Sequence, residues 1–377
     1  MCCYRFIVNN IQKVEVYLLD KQQTVLQYAK CFTPAILNPR YQVDISELFT
    51  DLELLKHSKR TSISQPTTIK DVLSFIKSKP ACRVLVDGEG GIGKTTLLRY
   101  ISYNAATDES VDVFKGKIVF LLNVRDLEEG KGILNLIVKQ LDMEEFDLKT
   151  ELGDDSKIIK KFILNHDDKI VLLLDGLDEL RFKSNTLIEL FRKEKLKNST
   201  VILTSRSENI NEFINSCDVY VRVKGFGNDS IENYISKHFE HFETPALGES
   251  LKQELLHQNY HKEIHSMCKN PMLLLSICFM WEDKQNLPED ESDLFKELFR
   301  SILNQFIAKQ PQQQNNLLSK FDAAPVEYVN PMICLGECMY HSLKINQLSI
   351  NKQKMIGDKN MVDMALKLGF VYEDALV

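Results

Sequence analysis

The stretch VLVDGEGGIGKTTLLRY, from Val84 to Tyr100, constrains the fold more than any other part of the chain. Four of the six residues from Gly88 to Gly93 are glycine, and Lys94, Thr95 and Thr96 follow directly. An apolar, β-branched run precedes the loop, and a helical pattern follows it. Gly88, Gly93, Lys94 and Thr95 fit the spacing G-x-x-x-x-G-K-[ST], with Gly90, Gly91 and Ile92 inside the loop. Glycine permits the positive φ angles that turn successive N–H groups toward one anion. The helix opening near Lys94 adds its positive end. The Lys94 ammonium suits β- and γ-phosphates, and the Thr95 hydroxyl suits Mg²⁺.

Such a site also needs a carboxylate near the metal. KIVLLLDGLDEL supplies Asp175 at the end of an apolar strand, where its side chain emerges at the carboxyl edge of a sheet. Asp178 and Glu179 follow; either could orient or deprotonate a water. Acids at the start of a helix are also favoured by its dipole, so both admit a purely structural role. STVILTSRS places Arg206 at the end of a further strand, either to contact a γ-phosphate and so tell ATP from ADP, or to pair with a nearby acid.

Around the loop, strands and helices alternate. Apolar runs at 83–87, 117–124, 169–175, 199–205 and 218–223 read as strands, and periodic stretches near 94–104, 131–141, 156–165 and 184–195 as helices. This predicts a parallel sheet covered by helices on both faces, its strands hydrophobic throughout. Ahead of it, Thr67 or Thr68 caps a helix with apolar positions Ile69, Val72, Leu73 and Ile76. Residues 1–45 show no strong period. Beyond about residue 224 only helical periodicity remains, apart from a polar loop from Gln310 to Leu317 and a strand that follows a final helix ending at Gly369.

A net charge of −6 gives no bulk drive toward nucleic acid or anionic membranes. The basic run from Arg181 to Asn198 reads as a solvated helix face. Nine scattered cysteines without a CxxC pair suggest reduced, mostly buried thiols; Cys2 and Cys3 alone are weak evidence of acylation. The N-terminal residues lack the pattern of a secretory signal, and PMLLLSICFMW is too short to span a membrane. The expectation is a soluble, cytoplasmic protein. His257, His261 and His265, and the pair His238 and His241, have spacings that zinc could use, but read better as solvated or packed side chains.

GEGGIGKTTL, LLLDGLDEL and VILTSRS, in this order, resemble the NACHT domain of the STAND class of P-loop NTPases, the nucleotide switches of NOD-like receptors. IVFLLNVRDLEEG, VRVKGFGNDSIENYISKHF, CKNPMLLLSICFMW and LFTDLELL resemble further segments of that family. The resemblance covers about residues 46–300. It implies an α/β P-loop three-layer sandwich with a parallel sheet, then an all-α helical domain and a partial winged-helix domain. The expected divisions are an N-terminal segment (1–45), the nucleotide-binding domain (46–223), the helical domain (224–282) and part of the winged helix (283–377). The resemblance implies that Pro271 lies near the adenine, and that Leu48 to Leu55 packs on the base. Within residues 1–45 no death-fold, caspase-recruitment or pyrin-like domain fits, and neither leucine-rich repeats nor the family's ADP-contacting histidine segment is found. The off-state lock that the family implies is therefore in doubt, and the sequence is expected to be a fragment or a truncated paralogue.

The reading that follows is a switch binding ATP or ADP with Mg²⁺. Gly88, Gly90, Gly91, Ile92, Gly93, Lys94, Thr95, Thr96, Arg206 and Pro271 would hold the nucleotide, Thr95 and Asp175 the metal, and Asp178 and Glu179 the water. The resemblance implies control of oligomerisation with itself or with homologous proteins, slow hydrolysis at most, and no nucleic-acid or membrane partner. The alternatives are a generic P-loop ATPase or phosphotransferase, and a truncated decoy of longer receptors.

Overall fold

The computed structural model describes residues 13–21, 31–32, 43–57, 64–107, 112–141, 155–180, 182–207, 210–256, 262–288, 291–308 and 324–344. The sequence features at Cys2, Cys3, Arg181, His257, His261, the loop from Gln310 to Leu317 and the final helix and strand lie outside them. The described chain falls into two compact units.

The first unit holds Met1–Phe32, Val43–Tyr234 and Lys269–Met272. It opens with helix α1 (residues 13–21), which buries Val14 and Leu18, one turn apart. A short antiparallel pair, β1 (Cys31–Phe32) and β2 (Val43–Asp44), leads to α2 (Ile45–Leu48). Next come β3 (Glu53–His57), β4 (Ser64–Thr67) and α3 (Ile69–Ser78). The Thr68 hydroxyl accepts from the Asp71 amide while Asp71 accepts from the Thr68 amide, a reciprocal cap that fixes where α3 starts. Val72, Leu73 and Ile76 are its buried stripe.

From there the chain alternates through β5 (Arg83–Asp87), α4 (Lys94–Thr107), β6 (Ile118–Asn123), α5 (Ile133–Gln140), α6 (Asp155–Asn165), β7 (Ile170–Asp175), α7 (Asn185–Phe191), β8 (Thr200–Ser205), α8 (Asn211–Ile214) and β9 (Val219–Gly225). The sheet order is β4-β3-β9-β5-β8-β7-β6. The five strands β9, β5, β8, β7 and β6 are parallel, as the alternating pattern requires. The strand readings at 83–87 through 218–223 hold to within two residues at each end. The antiparallel pair β3 and β4, which extends the sheet beyond β9, was not among them.

Side chains alternate across this sheet and build two cores. Leu85, Leu203, Leu172, Leu174 and Leu122 face one way, against Ile137, Ile163, Leu190 and Phe191. Val84, Val86, Ile202, Val171 and Val221 face the other, against Leu97, Leu98, Ile101, Val72 and Ile76. Two charged residues interrupt the apolar pattern of β5, Arg83 at its start and Asp87 at its end, and the side chain of Arg83 is wholly buried. Its guanidinium donates to Leu190 O and Leu196 O at 2.8 Å, and to Ser199 O, closing the turn after α7. Burial lowers its pKa to about 10.

The second unit holds Ile235–Cys268 and Leu273–Val377 together with Thr33–Gln42. Its described elements are helical. They comprise the later part of α9 (Asn228–His241), then α10 (Pro245–Leu256), α11 (Lys262–Met267), α12 (Pro271–Lys284) from Leu273 onward, α13 (Glu291–Ala308) and α14 (Val326–Lys344). α12 buries Leu274, Leu275, Ile277, Cys278, Met280 and Trp281, so PMLLLSICFMW is core. His238 is buried against Phe239, Phe242 and Phe279 and bonds to Glu282 Oε1 at 2.9 Å, which makes it a packing residue. Among the described residues no helix is long and apolar enough to cross a membrane. Six described cysteines, Cys82, Cys217, Cys268, Cys278, Cys334 and Cys338, are buried thiols. Burial pushes the thiol of Cys82 up to about 11 and that of Cys268 up to about 12.

Candidate functional site

Parallel strands deliver their last residues to one edge. β5 ends at Asp87, β7 at Asp175 and β8 at Ser205, and Gly88 to Gly93 and the N-terminus of α4 follow β5 directly. Ile92 is buried and anchors the loop in the core beneath it. Gly91 has φ +72°, a conformation that costs an L residue about 1–2 kcal/mol.

Lys94 Nζ donates to Gly88 O and Glu89 O, both at 2.8 Å, so the ammonium folds over the loop. Burial lowers its pKa, and the nearby carboxylates of Asp178 and Asp175 act the other way. Thr95 Oγ1 donates to Asp175 Oδ2 at 2.7 Å. The other Asp175 oxygen accepts from Thr204 Oγ1 at 2.6 Å, and Thr204 in turn accepts from the Gly176 amide at 2.9 Å. A hydroxyl and a carboxylate held this close form the oxygen donor set that a hard divalent cation takes from protein, leaving its other positions to water and phosphate. The donor set therefore fits Mg²⁺, and the loop with Lys94 fits the phosphates of a nucleotide.

Asp178 and Glu179 occupy different environments. Asp178 is tied to Arg206, whose amide donates to Oδ1 at 3.1 Å and whose Nε lies 3.0 Å from Oδ2. The Asp178 side chain is 7% exposed and that of Arg206 44%. The guanidinium also lies against the loop, since a Cβ built on Gly90 would sit 3.4 Å from Arg206 Nη2. Arg206 thus makes the ion pair that the sequence left open and still reaches the phosphate loop. Glu179 is half exposed, with Arg125 Nη1 at 3.9 Å. Burial of its carboxyl raises its pKa, and Arg125 opposes the shift.

The segments carried by resemblance also lie here. A Cβ built on Gly93 would fall 3.1 Å from Leu52 Cδ1 and 3.7 Å from Pro271 Cγ, which brings both residues to the end of the loop. Phe49 stacks on Tyr100 of α4, with ring centroids 3.5 Å apart. Thr96 is partly buried in the first turn of α4. Other participants were missed. Thr204 was legible in principle, as it stands near the end of β8, two residues before Arg206. The ion pair of buried Asp87 with the partly exposed Arg222, with Ser207 Oγ on Asp87 at 2.7 Å, needed the β5–β9 pairing to be known. Asn270 donates to Gly90 O at 2.9 Å across 180 residues of sequence, and no local pattern foretells that contact.

A parallel sheet with a glycine loop, a lysine, and a threonine–aspartate pair at its carboxyl edge defines a P-loop nucleoside-triphosphatase fold. Residues 82–242 match the family model of the NACHT domain, and this part of the chain is similar to that family. Similar proteins include NLR family CARD domain-containing protein 4 of Xenopus tropicalis, 26% identical over 236 residues, covering 62% of this chain and 22% of the relative. Nucleotide-binding oligomerization domain-containing protein 2 of Homo sapiens is 28% identical over 217 residues, covering 52% and 19%. The chain thus spans about a fifth of the length of these relatives. Among solved structures, a STAND protein with a tetratricopeptide repeat sensor from Pyrococcus horikoshii aligns with 80% of this chain and 44% of its own, at 16% identity and a TM-score of 0.37.

Proposed function

We propose that this chain is a nucleotide-governed signalling switch that binds ATP or ADP with Mg²⁺, hydrolyses ATP slowly at most, and controls association with itself or with homologous NACHT proteins in the cytoplasm. The observation that carries this reading is the Asp178–Arg206 pair. Both oxygens of Asp178 are engaged by Arg206, so one of the two candidate bases holds a γ-phosphate-reading arginine and not a water. Glu179 alone is left to orient the attacking water, half exposed and with a raised pKa.

In this scheme Lys94 holds the β- and γ-phosphates, Thr95 and Asp175 hold the metal, and the loop amides of Gly90 to Thr96 receive phosphate oxygens. Bound Mg²⁺ would neutralise charge on the phosphate oxygens. Pro271 and the Leu48–Leu55 segment would meet the base, a role supported by Leu52 and Pro271 lying beside Gly93. A ligand shifts a conformational equilibrium only by its differential affinity for the two states. Arg206 supplies such a difference, because only ATP offers it a γ-phosphate. The name of the Homo sapiens relative, with its nucleotide binding and oligomerization, supports the same reading.

The test begins with denaturing the purified protein and identifying any nucleotide released, then measuring ADP and ATP binding to Lys94→Ala. Losing two charge-assisted hydrogen bonds to phosphate should weaken binding by at least about a hundredfold. ATP held by Lys94→Ala with unchanged affinity would refute the phosphate-loop assignment.

A further inference from the structure

The segment Lys269–Met272 lies directly against the phosphate loop, within the same compact unit. Asn270 uses both ends of its amide there. Its Nδ2 donates to Gly90 O at 2.9 Å, and its Oδ1 accepts from the Met272 amide at 3.0 Å. The second bond is an N-cap on α12, with Pro271 in the first helical position, where proline's missing N–H costs nothing. The Met272 amide also lies 3.4 Å from Gly91 O. Behind the segment, the Phe226 amide donates to Lys269 O at 2.8 Å. A Cβ on Gly225 would fall 2.0 Å from that same carbonyl oxygen, so only glycine lets the two backbones come this close. The segment is held from behind while it holds the loop in front.

In a trans peptide the C=O and N–H point in opposite directions, and the described chain has no cis peptide. Fixing Gly90 O on Asn270 therefore turns the Gly91 N–H to the far side of the peptide. Fixing Gly91 O toward Met272 does the same for the Ile92 N–H. Two successive amides set in advance make an anion nest whose ordering is not a cost of binding.

We infer that Asn270 is a positioning residue of the nucleotide site: it pre-orients the Gly90–Gly91 peptide for phosphate and links that peptide to the first turn of α12. The inference rests on the nucleotide reading above. Asparagine suits both tasks, since its side chain carries a donor for the carbonyl and an acceptor for the helix amide. Phosphate on the Gly91 amide then acts on the residue that caps α12. Ten residues beyond Pro271, about 15 Å along the helix, stands Trp281, the only tryptophan in the chain. Its indole is buried and donates to Ser250 Oγ at 3.0 Å, so its emission reports on α12.

The experiment uses the full chain, Asn270→Ser and Asn270→Asp, each titrated with Mg·ADP by calorimetry and by tryptophan emission. Serine still caps a helix but is too short to reach Gly90 O, and aspartate keeps the shape and the cap but replaces the donor with a carboxylate. Asn270→Ser should melt as the parent does without nucleotide, bind ADP about tenfold more weakly, and lose the emission change even at saturation. Asn270→Asp should bind more weakly still, and it decides the matter if the serine variant does not fold. ADP affinity equal to the parent's in Asn270→Ser, or a parent that binds ADP with no change in emission, would overturn the inference. A parent that binds no nucleotide would overturn the underlying nucleotide reading instead, and the two failures are told apart by the calorimetry of the parent.

Discussion

Replacing Asp178 by asparagine separates the two roles open to that residue. Its carboxylate lies 3.0 Å from Arg206 Nε and accepts from the Arg206 amide. Asparagine can keep the acceptor for the amide but loses the charge. The pair joins a nearly buried acid to an arginine that is close to half exposed, so solvent screening brings it below a fully buried pair. A coupling of about 1 kcal/mol follows. An arginine contact to a γ-phosphate is a charge-assisted hydrogen bond, about 1.5–3 kcal/mol, or roughly ten- to a hundredfold in preference for ATP over ADP. Asp178→Asn should remove part of that preference, about fivefold, and leave ADP affinity nearly unchanged. Arg206→Ala should remove all of it, and adding Asp178→Asn to Arg206→Ala should change nothing more. Calorimetric titration of the four proteins with both nucleotides closes the cycle. If Asp178→Asn abolishes hydrolysis while the ratio of ATP to ADP affinity stays at the parent value, Asp178 is a base and the assignment to Arg206 is wrong.

Three further predictions concern the remaining acid and the buried arginine. Glu179→Gln should bind ATP as the parent does and hydrolyse it more slowly by roughly a hundredfold; unchanged single-turnover rates would remove Glu179 from the chemistry. Because burial raises its pKa, the acid limb of the parent's rate profile should lie above the ordinary glutamate value of 4.5, with activity gained as pH rises through it. Arg83→Ala leaves the buried carbonyls of Leu190, Leu196 and Ser199 without that donor, at about 1–3 kcal/mol each before relaxation. A loss of at least about 3 kcal/mol is expected in urea unfolding of the chain, and a loss below 1 kcal/mol would mean that water replaces the guanidinium.

How much of this was legible varied with how local the signal was. The strand before the glycine loop was read residue for residue, because Arg83–Asp87 is buried along its whole length. The β3–β4 pair was not, for physical reasons. Only Leu54 of β3 is fully buried, β4 carries Pro66 at the sheet's edge, and β3 pairs with β9 far along the chain. Helix α1 shows too few turns for a period to stand out, although Val14 and Leu18 share a face. Lys94, Thr95 and Asp175 could be placed on one edge because each follows or ends a readable strand. The partner of Arg206 stayed open because strand order, not spacing, brings Asp178 beside it. Asn270 followed by Pro271 is a legible helix start, but the peptide it grips lies in a loop that folds long before it in sequence.

The six buried thiols have a practical consequence. They stand in different parts of the fold: Cys82 before β5, Cys217 before β9, Cys268 beside the Lys269–Met272 segment, Cys278 within α12, and Cys334 and Cys338 on α14. None can react with a maleimide until its surroundings open, so each one's alkylation rate clocks the opening of its own neighbourhood. Mass spectrometry of the labelled peptides would give a map of local stability from the native sequence, with no residue added or changed.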